Sequence, residues 1–398
     1  MNSRKTTLPV SRIVYSLIRK FINWCTRKLF SIIHTDKVIL FESHPDFTCN
    51  TYPVYLKLRK MLPDYKMVWM LHGTDTKDAD DTLIFAPKSL KTKLKKYYYL
   101  AKAKAIISCN GYVPKLKAEQ LSLYLDHGAP LKNVTGMYNL ADPSVDFHNV
   151  LSPFFDDILL KETGGTPDKF VHLGFPRCDY FFSESRQQDI DQIVKGKYIV
   201  WLPTFRGHFE KIRDDAPGSP FNNIGVPVFY SLESLKSFDG FLRDNGITIL
   251  YKPHPAQDLD VVKEAHFSNF RIIYDADILT RNLQLYEVIA QSEALITDYS
   301  SIFWEYMLLD RPIAITNDDI EEYRAGLSFI MDIESVYSQT AEVVPDEESM
   351  RAFVLNVVAG RDIMREGRRE WRDKLAMYSD GKSAQRAAEF VIEKISRS

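Results

Sequence analysis

The sequence predicts an α/β protein with two doubly wound domains. Apolar runs of five to eight residues recur along the chain and lack the clean alternation of strands that have one solvated face, so they are typical of strands buried on both faces. The segments between them are long enough for helices. The polar stretch SESRQQDIDQIVKGK at 183–197 separates an earlier series of runs from a later one. We therefore predict a domain boundary near residue 185.

The predicted elements fall into two series. The first comprises VILFES at 38–43, MVWML at 67–71, AIISCN at 105–110 and KFVHLG at 169–174. The second comprises YIVWLPTF at 198–205, ITILYKPHP at 247–255, FRIIYDA at 270–276, ALITDYSS at 294–301 and PIAIT at 312–316. From about Glu347 onward the chain is charged and helix-prone, without strand patterns. These series predict Rossmann-like domains at 37–185 and 186–398, the second ending in helices.

Residues 1–36 form a basic segment that differs from the rest of the chain. They carry seven Lys or Arg residues and one acid, whereas the whole chain has a net charge of -2. On a helix, one face is apolar, with Val14, Leu17, Ile18, Phe21, Trp24, Cys25 and Ile32. The opposite face is basic, with Arg12, Arg19, Lys20 and Arg27. This pattern predicts an amphipathic helix on the cytoplasmic face of an anionic membrane; a helix packed on the protein's own body is the alternative.

Composition excludes several classes of protein. Apolar residues at 45% and charged residues at 26% are typical of a soluble globular chain, and the near-neutral charge argues against a nucleic-acid partner. The basic residues that interrupt the first apolar stretch argue against a signal peptide or a spanning helix. Four scattered cysteines without CxxC spacing indicate neither a disulfide framework nor a zinc site. Dinucleotide and P-loop glycine motifs are missing from the sequence, and we predict no cofactor and no required metal.

The lysine-rich run KSLKTKLKKYYYLAKAK at 88–104 has two interpretations. It is typical of a solvated helix face, and it also fits a basic surface for a membrane or a phosphate group.

Polar residues gather where predicted strands of the second domain end. In open α/β sheets, ligands bind beyond the carboxyl ends of the strands. Lys252 and His254 follow one strand, in a Lys-Pro-His-Pro turn that two prolines stiffen. Another strand is followed by the candidate residues Thr297, Asp298, Ser300 and Ser301. Because an apolar helix comes next, the hydroxyls fall at a helix N-terminus, which favours an anion such as a diphosphate; plain N-capping is the alternative for the serines.

Further candidates are two arginines and a histidine. Arg177 and Arg206, the latter beside Thr204, each follow a predicted strand and could bind phosphate oxygens in bidentate fashion, or could form structural ion pairs. His127 precedes Gly128 in DHGAPLK, a tight loop that also contains Lys132, and we place it after the third strand. Since His127 and His254 lie in different predicted domains, they could meet across a cleft. The other seven histidines are interpreted as ordinary.

Taken together, DHGAPLK, GFPRCD, LPTFR, KPHP and LITDYSSIFWEYMLLDRP resemble the CDP-glycerol glycerophosphotransferase family of teichoic acid synthesis. The resemblance covers most of residues 38–330. It implies a GT-B fold, in which two Rossmann-like domains face a cleft and the second binds most of the CDP-glycerol. It also implies transfer of glycerol phosphate to a lipid-linked acceptor at the cytoplasmic membrane face, with release of CMP.

Carried over by position, the resemblance implies that His127 and His254 are the essential pair. It further implies a donor site that includes Arg177, Thr204, Arg206, Thr297, Asp298, Ser300, Ser301 and Glu305. Two positions depart from the family, which usually has Trp in place of Asp126 and Asp in place of Glu305. We assign no role to Asn50.

The predicted mechanism is attack by an acceptor hydroxyl on the phosphorus that bears the alditol. His127 is the candidate general base, and His254 is expected to hydrogen-bond the diphosphate. One alternative is a GT-B glycosyltransferase that uses a nucleotide sugar. An alternative of another class is a non-catalytic membrane-bound scaffold. The sequence leaves open glycerol or ribitol, single addition or polymer, and teichoic acid or capsule.

Overall fold

A computed structural model provides the structure of the chain. It describes residues 28–72, 82–85, 89–132, 144–204, 224–254, 257, 259–321 and 329–397. Arg206 and most of the predicted N-terminal helix lie outside the described residues. Lys28 to Phe30 are helical. Among the described helices, none is long and apolar enough to cross a membrane.

Thirteen strands lie in the described part of the chain and form two sheets. The strands are β1 Val38–Glu42, β2 Lys66–Met70, β3 Thr82–Phe85, β4 Ala105–Ser108, β5 Leu121–Tyr124, β6 Phe147–Asn149, β7 Phe170–Val171, β8 Tyr198–Leu202, β9 Thr248–Tyr251, β10 Phe270–Ile272, β11 Ala294–Thr297, β12 Ile313–Thr316 and β13 Glu342–Val344. The first sheet has the order β3-β2-β1-β4-β5-β6-β7, and the second has the order β10-β9-β8-β11-β12-β13. The pairs from β3 to β6 and all pairs of the second sheet are parallel.

The α-helices connect these strands and close the chain. They are α1 Thr51–Met61, α2 Leu90–Lys102, α3 Asp156–Thr163, α4 Gln187–Ile190, α5 Leu232–Asp244, α6 Asp260–Lys263, α7 Asp275–Leu279, α8 Leu285–Ala290, α9 Ile302–Tyr306, α10 Ile333–Thr340, α11 Glu347–Val358, α12 Arg365–Leu375 and α13 Ser383–Arg397. Parallel strands need such crossovers, since a tight hairpin can join only antiparallel neighbours. The predicted α/β class and the helical C-terminal part are confirmed.

Every predicted strand is present, and β3, β5, β6 and β13 are further strands that the apolar pattern did not predict. Ser122 interrupts the apolar run of β5, and β6 is three residues long and contains His148 and Asn149. His127 therefore follows the fifth strand and not the third, which corrects our prediction. The cause is that short strands with polar members lack the uninterrupted apolar run on which the prediction depended.

The described residues divide into two compact units. The first comprises residues up to His127, 140–148 and those from Gln385 onward; the second comprises 128–139 and 149–384. The change from the first sheet to the second falls between β7 and β8, and the predicted boundary near residue 185 lies in that interval. The unit division differs from that boundary, because 149–184 belong to the second unit and the residues from Gln385 to the first.

Each unit has its own apolar core. In the second unit, Trp201, Phe238 and Ile296 belong to a large buried cluster between the sheet and its helices. In the first unit, Leu40 and Val68 pack against Ile106. Helix α13 packs on the first unit through Phe390, whose ring meets that of Phe147 edge-on at 5.1 Å. Burial of these apolar side chains fixes the strand ends, where the candidate site residues lie.

Candidate functional site

In the first unit, His127 lies just beyond the carboxyl end of β5. Its Nδ1 is 3.2 Å from the Cys109 carbonyl oxygen and 3.3 Å from the Tyr124 hydroxyl. A carbonyl only accepts hydrogen bonds, so Nδ1 carries the proton in the neutral ring. The ring is half-exposed, at 46% of its side-chain surface. Its Nε2 lone pair has no hydrogen-bond partner within the described residues and is suited to accept a proton.

The residue before His127 is buried and tied to a second histidine. The Asp126 carboxylate accepts a hydrogen bond from the His127 backbone amide at 2.6 Å and one from His148 Nε2 at 2.8 Å. We interpreted His148 as ordinary from the sequence; its ring is 1% exposed and contacts Asp126, the neighbour of the candidate base. The register places His148 beside Tyr124. Because β6 was not predicted, no pattern in the sequence pointed to this neighbour.

In the second unit, Gly128 lies against Ser301. A Cβ built on Gly128 would overlap the Ser301 hydroxyl oxygen, so no larger residue fits here without displacing that side chain. Two residues on, the Pro130 carbonyl accepts a hydrogen bond of 3.3 Å from the Trp304 indole of α9. Lys132 forms an isolated antiparallel bridge with Phe329. The glycine thus allows residues 128–132 of the DHGAPLK segment to lie on the TDYSS segment.

The TDYSS residues at 297–301 differ in burial: the first three are buried and the two serines are partly exposed. Thr297 donates to the Leu202 carbonyl at 2.8 Å, and Asp298 accepts from the Thr204 amide at 2.8 Å and from its hydroxyl at 3.1 Å. Thr297 and Asp298 are fully buried. Hydrogen bonds of Thr204, Thr297 and Asp298, all three predicted to bind the CDP-alditol, therefore connect the end of β11 to the end of β8. Their contact with a donor stays a prediction.

Ser300 and Ser301 are the half-buried members of the segment, and they open α9. Ser301 makes no side-chain capping hydrogen bond, so the plain N-cap alternative is not seen at this residue. Its backbone carbonyl accepts from the Trp304 amide at 3.1 Å. Of the segment, these two side chains are the ones that are partly exposed, and their contact with a donor stays a prediction.

Arg177 and Glu305 form a buried ion pair. Arg177 Nε lies 2.8 Å from Glu305 Oε2 and Nη2 lies 2.5 Å from Oε1, which is a bidentate geometry. Tyr286 donates to Glu305 Oε2 at 2.6 Å, and the guanidinium lies 4.9 Å from the centre of the Tyr286 ring. Burial raises the pKa of the Tyr286 hydroxyl, which therefore stays a donor. The structure shows Arg177 in a buried ion pair with Glu305, and its contact with the donor stays a prediction.

Lys252 and His254 follow β9 as predicted. Lys252 Nζ is 3.1 Å from Asp275 Oδ1 at the start of α7, so its charge is already balanced. His254 is half-buried, and its carbonyl accepts from the Gln257 amide at 2.8 Å. The encounter of His254 with His127 stays a prediction. No group of three His, Cys, Asp or Glu side chains in the described part of the chain is placed to hold a metal ion.

Comparison with known proteins gives relatives along nearly the whole chain. The chain is 24% identical over 389 residues to the teichoic acid ribitol-phosphate primase of Bacillus spizizenii, covering 90% of this chain and 91% of that protein. It is 25% identical over 354 residues to a teichoic acid poly(glycerol phosphate) polymerase of the same organism, covering 81% and 82%.

Solved structures show the same fold. The wall teichoic acid polymerase TagF superposes with a TM-score of 0.72 at 19% identity, covering 98% of this chain and 99% of that one. A putative UDP-N-acetylglucosamine 2-epimerase from Listeria monocytogenes gives a TM-score of 0.52 at 13% identity, covering 91% and 97%. The two parallel sheets and these likenesses confirm the predicted GT-B class. Residues 25–393 match the family described as CDP-Glycerol:Poly(glycerophosphate) glycerophosphotransferase, and the chain therefore belongs to that family, as its motifs predict.

Proposed function

We propose that the protein transfers an alditol phosphate from a CDP-alditol to a hydroxyl of a lipid-linked acceptor. The observation that carries this proposal is the family match over 25–393, with relatives named as glycerol-phosphate and ribitol-phosphate primases and polymerases. The reaction forms a bond between the acceptor oxygen and the phosphorus that bears the alditol. The bond from that phosphorus to CMP breaks, and CMP leaves. As proposed, the reaction needs no cofactor.

The geometry of His127 supports this chemistry. The attacking hydroxyl must lose its proton, and an imidazole whose Nδ1–H is held by the Cys109 carbonyl offers Nε2 as the base. The negative charge on the diphosphate needs donors fixed in advance. The hydroxyls of Ser300 and Ser301 supply such donors, with the amides that follow them. We propose that His254 and Arg206 complete this group.

The identity of the donor substrate distinguishes the proposed phosphotransferase from a nucleotide-sugar glycosyltransferase. We expect incubation with CDP-glycerol or CDP-ribitol and a teichoic-type lipid-linked acceptor to release CMP and to add one alditol-phosphate mass per transfer. The mass distribution of the product distinguishes one addition from a polymer. Consumption of a UDP-sugar, with a sugar mass on the acceptor and no reaction of either CDP-alditol, would contradict the proposal.

We also propose that the enzyme works on an anionic membrane surface and binds it partly through α2. Leu90 and Leu94 are 75% and 45% exposed and lie one turn apart. Lys91 and Leu94 are neighbours on the helix surface, and Lys95 follows Leu94 in the chain. Next to this helix, Phe30 stacks on Tyr97 with ring centroids 6.0 Å apart. Exposed leucines flanked by lysines combine apolar insertion with attraction to anionic headgroups.

A double substitution tests this membrane face. Leu90→Glu with Leu94→Glu should weaken binding to phosphatidylglycerol vesicles by about tenfold or more, since each buried leucine contributes about 1.5–3 kcal/mol. Binding by the parent protein should also weaken as salt is added, because salt screens the attraction between lysines and anionic headgroups. The Debye length is about 10 Å at 0.1 M. Leu355→Glu, at a leucine 42% exposed on α11, is the matched control. Equal sedimentation of the double variant and the control would rule out this face.

A further inference from the structure

Asp126 has a backbone conformation that few residues adopt. Its φ of 59° lies in the left-handed region. That region costs a non-glycine residue energy, and the residue keeps it only where its surroundings hold it there. The Asn50 side-chain amide binds the Leu125 carbonyl at 3.3 Å and the Asp126 carbonyl at 2.9 Å. Asn50, to which we assigned no role from the sequence, therefore holds this turn through two hydrogen bonds.

Both carboxylate oxygens of Asp126 are used, and they connect two histidines. Oδ1 accepts from the His127 amide at 2.6 Å and lies 3.6 Å from His127 Nδ1. Oδ2 accepts from His148 Nε2 at 2.8 Å. Tyr124 places its hydroxyl 3.4 Å from Oδ1 and 3.3 Å from His127 Nδ1, so it touches the acid and the candidate base together.

Asp126 stays ionised although it is buried. Burial by itself would raise its pKa, but the hydrogen bond and the charge of His148, with smaller contributions from His127, outweigh burial and lower the pKa of this carboxyl. A negative charge therefore lies permanently beside the His127 ring at neutral pH.

His148 is built to hold this carboxylate. Its ring is 1% exposed, Nε2 faces Asp126, and Nδ1 is 3.1 Å from the Tyr112 hydroxyl. With both ring nitrogens engaged, the imidazole cannot turn without breaking two hydrogen bonds in a buried site. Its place in the register beside Tyr124 sets its distance from the turn.

We propose that Asp126, held by His148, is a positioning residue for His127: it fixes the backbone of the histidine and stabilises the imidazolium formed when Nε2 takes the acceptor's proton. The inference rests on the proposed transfer reaction, in which His127 accepts that proton. In Ser-His-Asp catalytic triads, a buried aspartate likewise orients the imidazole and stabilises its protonated form without taking the proton. Nothing is transferred to Asp126, since its pKa is low and the proton stays on the ring.

Few ionisable groups within the described part of the first unit share this environment. From β5 comes the Tyr124 hydroxyl, from β6 His148, and from the segment after β4 the Tyr112 hydroxyl; the Cys109 carbonyl faces Nδ1. Since burial also raises the pKa of the Cys109 thiol well above its usual range, that thiol is neutral. The Glu42 carboxylate also acts on Cys109 and is paired with His72. The carboxylate shown next to the His127 ring is that of Asp126, 3.6 Å from Nδ1.

Asp126→Asn is the first test, because asparagine keeps the shape and tolerates the left-handed region. It can still accept from the His127 amide, while its charge is lost. We expect the acid limb of the kcat/KM profile to move to lower pH, since a positive ring loses its nearest anion. We expect kcat to fall about tenfold with donor Kd unchanged. The midpoint of the His127 ring titration, followed by NMR without substrate, should move in the same direction.

Substitutions of His148 test the support of the carboxylate. His148→Leu removes the hydrogen-bond donor to Asp126 and should lower kcat about tenfold. His148→Gln keeps an amide that can still donate to Asp126, so this variant should retain most of the parent's kcat. His172→Asn is the matched control, because His172 makes a similar pair with Asp156 at 2.9 Å in the second unit. It should leave kcat and the pH profile unchanged. If His148→Leu fails to fold, the asparagine variant still decides the question.

A folded Asp126→Asn protein with the parent's pH profile and NMR midpoint would overturn the inference and leave Asp126 a structural residue. A parent that transfers nothing from any CDP-alditol would contradict the proposed function instead. The two failures are distinguishable, because the NMR titration needs no substrate and reports on the Asp126 charge alone.

Discussion

Replacing His127 by alanine should lower the rate of transfer by roughly 10²- to 10⁴-fold, the usual contribution of a general base. Donor affinity should change little, because the ring is held in the first unit by the Cys109 carbonyl while the candidate donor hydroxyls belong to the second unit. Steady-state kinetics with a CDP-alditol and calorimetric titration of the donor measure the two quantities separately.

His254→Ala provides the comparison for this prediction. It should weaken donor binding as well as turnover, since we propose that His254 binds the diphosphate. His172→Ala, at a histidine paired with Asp156, should change neither quantity. Full donor affinity in His254→Ala together with no donor binding in His127→Ala would reverse the two assignments.

Arg177→Ala should lower the free energy of unfolding by about 3–5 kcal/mol, the usual cost of breaking a buried ion pair from one side. The substitution leaves the Glu305 carboxylate, which is fully buried, without its guanidinium. Tyr286 would remain as a neutral donor, which cannot balance the charge. Urea or thermal unfolding of the purified variant measures the loss.

A double variant separates stability from donor binding. Arg177→Met with Glu305→Gln removes both charges and lets the amide oxygen of the new glutamine accept from Tyr286, so it should recover most of the lost stability. If Arg177 is structural, this variant keeps the parent's affinity for the CDP-alditol. If the folded double variant has lost donor affinity by tenfold or more, Arg177 contacts the donor as the family resemblance implies.

Strand ends were predictable because buried parallel strands produce unbroken apolar runs. The runs at 198–205 and 294–301 were recognised for this reason. The strands within them end side by side, as Thr297 pairs with Leu202. The role of a polar residue just after a strand is harder to predict, because its side chain can serve the protein or a ligand. The hydrogen bonds that Thr297 and Asp298 make with the end of β8 could be found only in the structure.

Contacts between residues far apart in the chain could not be predicted from the sequence alone. Arg177 and Glu305 were both selected, yet their pairing depends on a contact across 128 positions of the chain. Asp126 was noted as a departure from the family and His148 was passed over, because β6 is too short and polar to be recognised. The charge beside His127 could be found only once the register of β5 and β6 was known.

The position of α13 has a consequence for how the chain is made. Its residues from Gln385 onward belong to the first unit, where Phe390 meets Phe147 and Ala387, Ala388 and Val391 are fully buried. On the ribosome these residues emerge after the entire second unit. Domains usually fold in order from the N-terminus during synthesis. Here the apolar surface around Phe147 stays uncovered until α13 has been synthesised, so we expect the folding of the first unit to be completed last.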